Sequence, residues 1–172
     1  MSKILTGKRV PDFVASASSG DSISLSKLRG HRVVLYFYPK DNTPGCTLEG
    51  QDFRDLHARF KRLDAVILGV SRDSLASHEN FRAKFGFRFA LLSDQDEKLC
   101  KLFGVIKLKN MYGRRVLGIE RSTFLIDEHG VLCREWRRVK VKGHAAEVLE
   151  AVKMLDRKPQ RVKTNKTKGK RK

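Results

Sequence analysis

One cysteine lies in a sequence context that makes thiols reactive. An apolar run at 33–38 ends at Pro39 and a polar turn, and Cys46 follows at the predicted start of a helix. The start of a helix carries partial positive charge and N–H groups that lack intrahelical partners, and both favour a thiolate over a thiol. The thiolate is the nucleophilic form of cysteine. Cys46 is therefore a candidate nucleophile; the alternative is a small buried apolar residue.

The elements that would position Cys46 alternate between apolar runs and amphipathic stretches. The predicted strands cover residues 33–38, 66–70, 123–126 and 131–136, and the predicted helices cover 48–63, 74–85, 96–103 and 144–155. In the second helix, Ser74 is predicted to be the cap, with Ala76, Phe81 and Phe85 facing inward. The order of elements predicts an α/β fold, a thioredoxin-like sandwich with a central mixed sheet flanked by helices.

Several segments resemble one known family. Pro39, Thr43 and Cys46 have the spacing P-x-x-x-T-x-x-C, and the surrounding string at 36–47 resembles the active-site signature of the peroxiredoxins. Within that family it is similar to the peroxiredoxin Q, or bacterioferritin comigratory protein, branch. The segment at 118–127 resembles the one that carries the family's active-site arginine, which maps onto Arg121. Counting matches at 10–13 and 23–30, the resemblance covers about residues 4 to 155.

The resemblance implies a thiol-dependent peroxidase that reduces hydrogen peroxide and organic hydroperoxides in antioxidant defence. Cys46 would attack the peroxide and become a sulfenic acid. Arg121 would favour the thiolate and donate hydrogen bonds to the peroxide, and the Thr43 hydroxyl would contact the peroxide or the sulfur. Pro39 would shield the thiolate. The resemblance implies no cofactor and no metal, and this branch is commonly monomeric.

Each of these assignments has a structural alternative. Thr43 could simply cap the following helix, and Pro39 could be a turn residue. Arg121 is one of 37 basic residues, so a surface ion pair is an alternative that only the resemblance argues against.

The sequence departs from its relatives at the thiol that resolves the sulfenic acid. The two positions where this branch usually has a resolving cysteine align with Gln51 and Arg82. The remaining cysteines, Cys100 and Cys133, are predicted to be packing residues. We therefore expect a one-cysteine mechanism in which thioredoxin, glutaredoxin with glutathione, or a small thiol reduces the sulfenate. A disulfide with Cys100 after local unfolding is the alternative.

The composition indicates a reducing compartment and argues against membrane-spanning, secreted and metal-binding proteins. The chain has 172 residues, 40% hydrophobic and 33% charged, and no apolar stretch approaches the ~20 residues that span a bilayer. The N-terminus lacks the apolar core of a secretory signal, and three cysteines do not suggest a disulfide framework. No C-x-x-C pair or histidine–cysteine metal spacing occurs. We expect a cytoplasmic protein without a membrane partner.

The last sixteen residues differ from the rest. Residues 157–172 hold nine lysines and arginines, no acid and one aliphatic residue, within a chain of net charge +18. We predict a domain at 1–156 and a disordered basic tail at 157–172. The tail suits non-specific, salt-sensitive contacts with nucleic acid, so a nucleic-acid-associated protein is a second function to consider. A purely solubilising tail is the alternative.

Overall fold

A seven-stranded mixed sheet forms the centre of the protein. The computed structural model describes residues 4–156; the predicted tail at 157–172 lies outside these residues. The strands are β1 (Val14–Ala17), β2 (Ser22–Ser24), β3 (Arg32–Phe37), β4 (Ala65–Ser71), β5 (Ala90–Ser93), β6 (Ile106–Met111), β7 (Arg114–Ile119), β8 (Ser122–Ile126) and β9 (Leu132–Trp136). The sheet order is β2-β1-β5-β4-β3-β8-β9, and β3, β4 and β5 are parallel. Strands β6 and β7 form a separate antiparallel hairpin.

Four helices flank the sheet. They are α1 (Pro44–Arg62), α2 (Leu75–Phe85), α3 (Lys98–Leu102) and α4 (His144–Asp156), and a short 3-10 turn spans Ser26–Leu28. Helices α1 and α4 pack against each other, and α1 also packs on β4. Within residues 4–156, none of the helices has the length and apolar character needed to cross a membrane. This arrangement confirms the predicted α/β sandwich with a mixed sheet.

Alternation along the strands divides the interior into two cores. Because successive side chains of a strand point to opposite faces, neighbouring residues of β3 enter different cores. Val34 and Tyr36 join a core that includes Cys46 and Phe53 of α1, here called the α1 core. The α3 core lies on the other face of the sheet, and its members include Val33, Leu35, Phe37, Leu99, Cys100 and Phe124.

The element predictions differ from the structure in three respects. Helix α1 begins at Pro44 rather than 48, because proline suits the first turn of a helix, where its missing N–H is not needed. Ser74 caps α2 as predicted, but Ala76 is exposed, so its predicted inward orientation is wrong. Five strands were not predicted, namely β1, β2, β5, β6 and β7.

Candidate active site

The nucleophile candidate lies at the junction between β3 and α1. Cys46 is the third residue of α1 and only 2% exposed. The first hydrogen bond of the helix runs from the Thr47 N–H to the Thr43 carbonyl at 2.9 Å. The N–H groups of Gly45 and Cys46 precede it, at the end of the helix where backbone dipoles favour negative charge. The structure therefore places this thiol where the sequence predicted.

Arg121 reaches the sulfur from the neighbouring strand. It directly precedes β8, whose first residue, Ser122, pairs with Phe37 at the end of β3. Its Nη2 donates to Cys46 Sγ at 3.5 Å. Burial alone would lower the pKa of Arg121, but the Glu49 carboxylate and Cys46 more than offset this and raise it. Arg121 is therefore a partly buried, permanently charged partner of the sulfur rather than a surface ion-pair residue.

Glu49 is a site residue that sequence reasoning missed. It lies three residues after Cys46, so both face the same side of α1. It is 1% exposed, and its Oε1 accepts a 2.8 Å hydrogen bond from Arg121 Nη1. Burial raises the pKa of Glu49 to about 7, and the nearby Arg121 charge offsets only part of that rise. Glu49 and Cys46 thus hold the two ends of one guanidinium.

A glycine makes room for this guanidinium. A Cβ atom added to Gly45 would lie 3.1 Å from Arg121 Nη2, which is tighter than an ordinary contact. The glycine of the sequence motif therefore allows the arginine to approach the first turn of α1. The sequence hinted at a role for Gly45 only by placing it directly before Cys46. The need for a glycine there comes from Arg121, which lies far later in the chain.

Thr43 and Pro39 lie beside the site, and neither forms a hydrogen bond with the Cys46 sulfur in this structure. Thr43 occupies the N-cap position of α1, but its side chain does not cap the helix; the hydroxyl donates to the Lys40 carbonyl at 2.8 Å. Pro39 is half-buried at the start of the loop that leads to α1. Their roles toward a peroxide remain predictions.

A buried polar network anchors the loop between β3 and α1. Asp41, in the middle of the loop, accepts hydrogen bonds from Tyr38 Oη at 2.6 Å and from Ser77 Oγ at 2.8 Å. Its Oδ2 lies 2.8 Å from Nδ1 of the fully buried His78, whose Nε2 lies 2.9 Å from the Leu92 carbonyl. Since a carbonyl only accepts, Nε2 carries a hydrogen and the ring is oriented toward Asp41 by both contacts.

The same network includes a group with the spacing of a cation site. Ligand atoms of Asp41, Asp73 and His78 lie within 4.8 Å of one another. Both ring nitrogens of His78 already contact protein oxygens, and Asp73 Oδ2 accepts from the Asp41 N–H at 2.9 Å. These contacts within the protein explain the three side chains as an anchor for the loop.

The other two cysteines lie far from Cys46. Cys100 is completely buried in the α3 core, on the opposite face of the sheet, and burial raises its pKa, as does Asp94. Cys133 packs against the α1 core, which also contains Cys46, but it follows Leu132, which pairs with Ile126 opposite Val33. That end of β3 is four residues from Phe37, about 13 Å at roughly 3.3 Å per residue. Disulfides need Cα atoms within about 7 Å, so neither cysteine can pair with Cys46 in this conformation.

Known proteins share this sequence and architecture. Residues 6–134 match the model of the AhpC/TSA family. The chain belongs to this family, the peroxiredoxins. It is 58% identical over 142 residues to peroxiredoxin Bcp of Xanthomonas campestris, covering 83% of this chain and 89% of that protein. It is 51% identical over 152 residues to peroxiredoxin Bcp of Bacillus subtilis, covering 88% and 97%.

A solved structure agrees with these relatives. The bacterioferritin comigratory protein of Xanthomonas campestris superimposes with a TM-score of 0.82 at 52% identity, covering 90% of this chain and 99% of that one. The family and the peroxiredoxin Q resemblance predicted from the sequence are therefore confirmed, and the protein is a thiol-dependent peroxidase. Membership implies a peroxide substrate and a thiol reductant.

Proposed function

We propose that this peroxidase works by a one-cysteine mechanism centred on Cys46. The observation that carries the proposal is the 3.5 Å contact between Arg121 Nη2 and Cys46 Sγ, combined with the distance of the other two cysteines from this sulfur. The guanidinium and the start of α1 favour the thiolate. The substrates are hydrogen peroxide and organic hydroperoxides, in keeping with the alkyl peroxide reduction activity of the similar Xanthomonas campestris protein.

The first step forms a sulfur–oxygen bond and breaks the O–O bond. The Cys46 thiolate attacks the terminal oxygen of the hydroperoxide, and the departing alkoxide or hydroxide takes up a proton to become an alcohol or water. Arg121 and the N–H groups at the start of α1 stabilise the charge on the departing oxygen. Thr43 rotates its hydroxyl from Lys40 to the peroxide, and Pro39 limits access of water to the sulfur. Cys46 is left as a sulfenic acid.

An external thiol completes the cycle. It attacks the sulfenic sulfur, releases water and leaves a mixed disulfide, which a second thiol then reduces to regenerate the Cys46 thiolate. Thioredoxin, glutaredoxin with glutathione, or a small thiol fits this requirement. Because this supply, together with three cysteines that form no disulfide, suits a reducing compartment, we place the reaction in the cytoplasm. Because the peroxiredoxin Q branch is commonly monomeric, we assign a monomer.

Cysteine mapping tests the mechanism. One equivalent of hydrogen peroxide added to the fully reduced protein should yield a sulfenic acid on Cys46, with Cys100 and Cys133 still free by mass spectrometry without reduction. Cys46→Ser should lose peroxide reduction, because no other thiol is placed beside Arg121. Cys100→Ser and Cys133→Ser, the matched controls, should retain it when dithiothreitol is supplied. A disulfide between Cys46 and Cys100 would instead establish the two-cysteine alternative.

A further inference from the structure

The β6–β7 hairpin exposes an unusual amount of apolar surface. Of the nine large apolar side chains that are exposed within the described residues, five lie on this hairpin: Leu108, Met111, Tyr112, Val116 and Leu117. Residues 106–119 also contain four lysines and arginines and no acid. Met111 and Val116 lie on one face of the hairpin, Leu108 and Leu117 lie on the other, and Tyr112 lies in the turn between the strands. Isolated exposed apolar residues are common, but exposed apolar side chains beside charges of a single sign indicate an interaction surface.

One face of the hairpin borders the active site. In the antiparallel register, Lys107, Lys109 and Met111 pair with Gly118, Val116 and Arg114, so these six residues share a face, here called the mouth face. The Lys109 ammonium hydrogen-bonds the Ile119 carbonyl, two residues before Arg121. Burial lowers the pKa of Lys109, and the Arg121 charge lowers it further. The mouth face is therefore continuous with the residues around Cys46.

We propose that the mouth face is the docking surface for the protein thiol that reduces the Cys46 sulfenic acid, an acidic redoxin with apolar residues beside its own reactive cysteine. The inference rests on the proposed one-cysteine mechanism, which requires an external thiol. Because Cys46 is only 2% exposed, the reductant must be held beside the sulfur before it can reach it. The mouth face supplies that holding surface.

The charges and side chains select this partner over others. An acidic protein is attracted by a hairpin without acids on a chain of net charge +18, whereas a second copy of the chain is repelled. Met111 and Arg114 are of the flexible and charged types that are enriched at protein interfaces, and Val116 adds apolar area beside them. Surfaces that lie in lipid commonly use tryptophan, phenylalanine and leucine, and the six residues of the mouth face include none of these.

The experiment compares two reductants on the same variants. Hydrogen peroxide turnover is measured with an acidic thioredoxin and, separately, with dithiothreitol. The charge variant is Lys107→Glu with Arg114→Glu, and the apolar variant is Met111→Ser. We expect each to lower kcat/KM for thioredoxin by about tenfold or more, and the charge variant also to weaken its salt dependence. Turnover with dithiothreitol should change by less than about twofold, because docking plays no part in it.

Matched controls lie away from the site. Lys8→Glu with Lys27→Glu makes the same change in net charge at exposed positions near the other end of the sheet, and Met154→Ser removes another exposed methionine, from α4. These should behave like the unaltered protein with both reductants. Equal effects of mouth-face and control variants on thioredoxin turnover would overturn the proposal.

Three further outcomes distinguish the docking proposal from other roles of this surface and from a failure of the proposed mechanism. If the unaltered protein turns over with dithiothreitol but with neither thioredoxin nor glutaredoxin, the docking proposal is wrong and the one-cysteine mechanism stands. If the mouth-face variants lose binding to phosphatidylglycerol vesicles while keeping thioredoxin turnover, the surface is a lipid contact instead. Absence of any Cys46 sulfenic acid in the unaltered protein would contradict the proposed mechanism itself.

Discussion

At the scale of single residues, the site is organised around one arginine. Arg121 donates one nitrogen to Cys46 Sγ and the other to Glu49 Oε1. Both partners come from the first turns of α1, so the guanidinium is held in one orientation by a rigid element. A buried charge of this kind is stable only while it stays paired, because isolated charges are costly to remove from water. We therefore assign Glu49 as the residue that positions Arg121.

The buried carboxyl group makes stability depend on pH. The pKa of Glu49 is raised from 4.5 to about 7 by burial. Folding therefore favours its protonated form, and this contribution is present below pH 4.5 and lost as the pH rises to 7. The expected loss is about 3 kcal/mol. Glu49→Gln should lack this loss. Measured by urea unfolding, the free energy of unfolding of the variant should therefore rise relative to that of the unaltered protein between pH 4.5 and 7.5. A pH-independent difference would contradict this expectation, and the exposed Glu79→Gln serves as control.

At the scale of elements, the site depends on the hydrogen bonds that hold the loop between β3 and α1 in place. The loop between β3 and α1 contributes Thr43 and Pro39, and Asp41 in its centre is bound to α2 through His78 and Ser77. His78 in turn contacts the Leu92 carbonyl of β5. Helix α2 and strand β5 thus fix the loop that precedes Cys46, and Asp41 and His78, which make these contacts, are both buried.

Replacing His78 should therefore slow the oxidation of Cys46 through its effect on the loop that precedes this cysteine. His78→Gln removes one member of a buried pair, with an expected loss of about 3 kcal/mol in the free energy of unfolding. Under conditions where the variant is folded by circular dichroism, the rate constant for Cys46 oxidation by peroxide should fall, because Thr43 loses its fixed position. His144→Gln is the matched control: this buried histidine contacts Thr123, not the loop. If both variants oxidised at the same rate as the unaltered protein, His78 would be a purely structural residue.

At the scale of the whole molecule, charge is the dominant feature. The net charge is +18, and half of it comes from residues 157–172. The sequence predicts that this segment is separable from the catalytic domain, with non-specific attraction to nucleic acid as its candidate role.

Deleting residues 157–172 tests that division. Retention on immobilised DNA at low salt should fall markedly, because the chain loses nine positive charges. Peroxide turnover with dithiothreitol should stay unchanged, since the described site lies entirely within 39–121. Loss of turnover together with DNA retention would show that the domain and the tail are not independent.

The sequence by itself determined the class of fold and the helix start near Cys46, and it predicted Cys46 as the nucleophile. These follow from local patterns: a strand ending at Pro39, the motif that ends at Cys46, and alternating apolar runs. Arg121 was predicted only from the resemblance of its segment to the peroxiredoxins. The β6–β7 hairpin also had a local signal, since Tyr112 and Gly113 turn between alternating residues with positive φ angles. That pattern was available and was missed.

Only the tertiary structure decided which distant groups meet at the sulfur. Glu49 and Arg121 are 72 residues apart, and Asp41 and His78 are 37 apart, so no sequence period relates them. Cys100 is a candidate resolving thiol in the sequence, and the pleat of the sheet places it on the face opposite Cys46, so a disulfide between the two requires local unfolding. Side-chain period and helix position are local properties of the chain, whereas the pairing of buried charges depends on how the strands are ordered in the sheet.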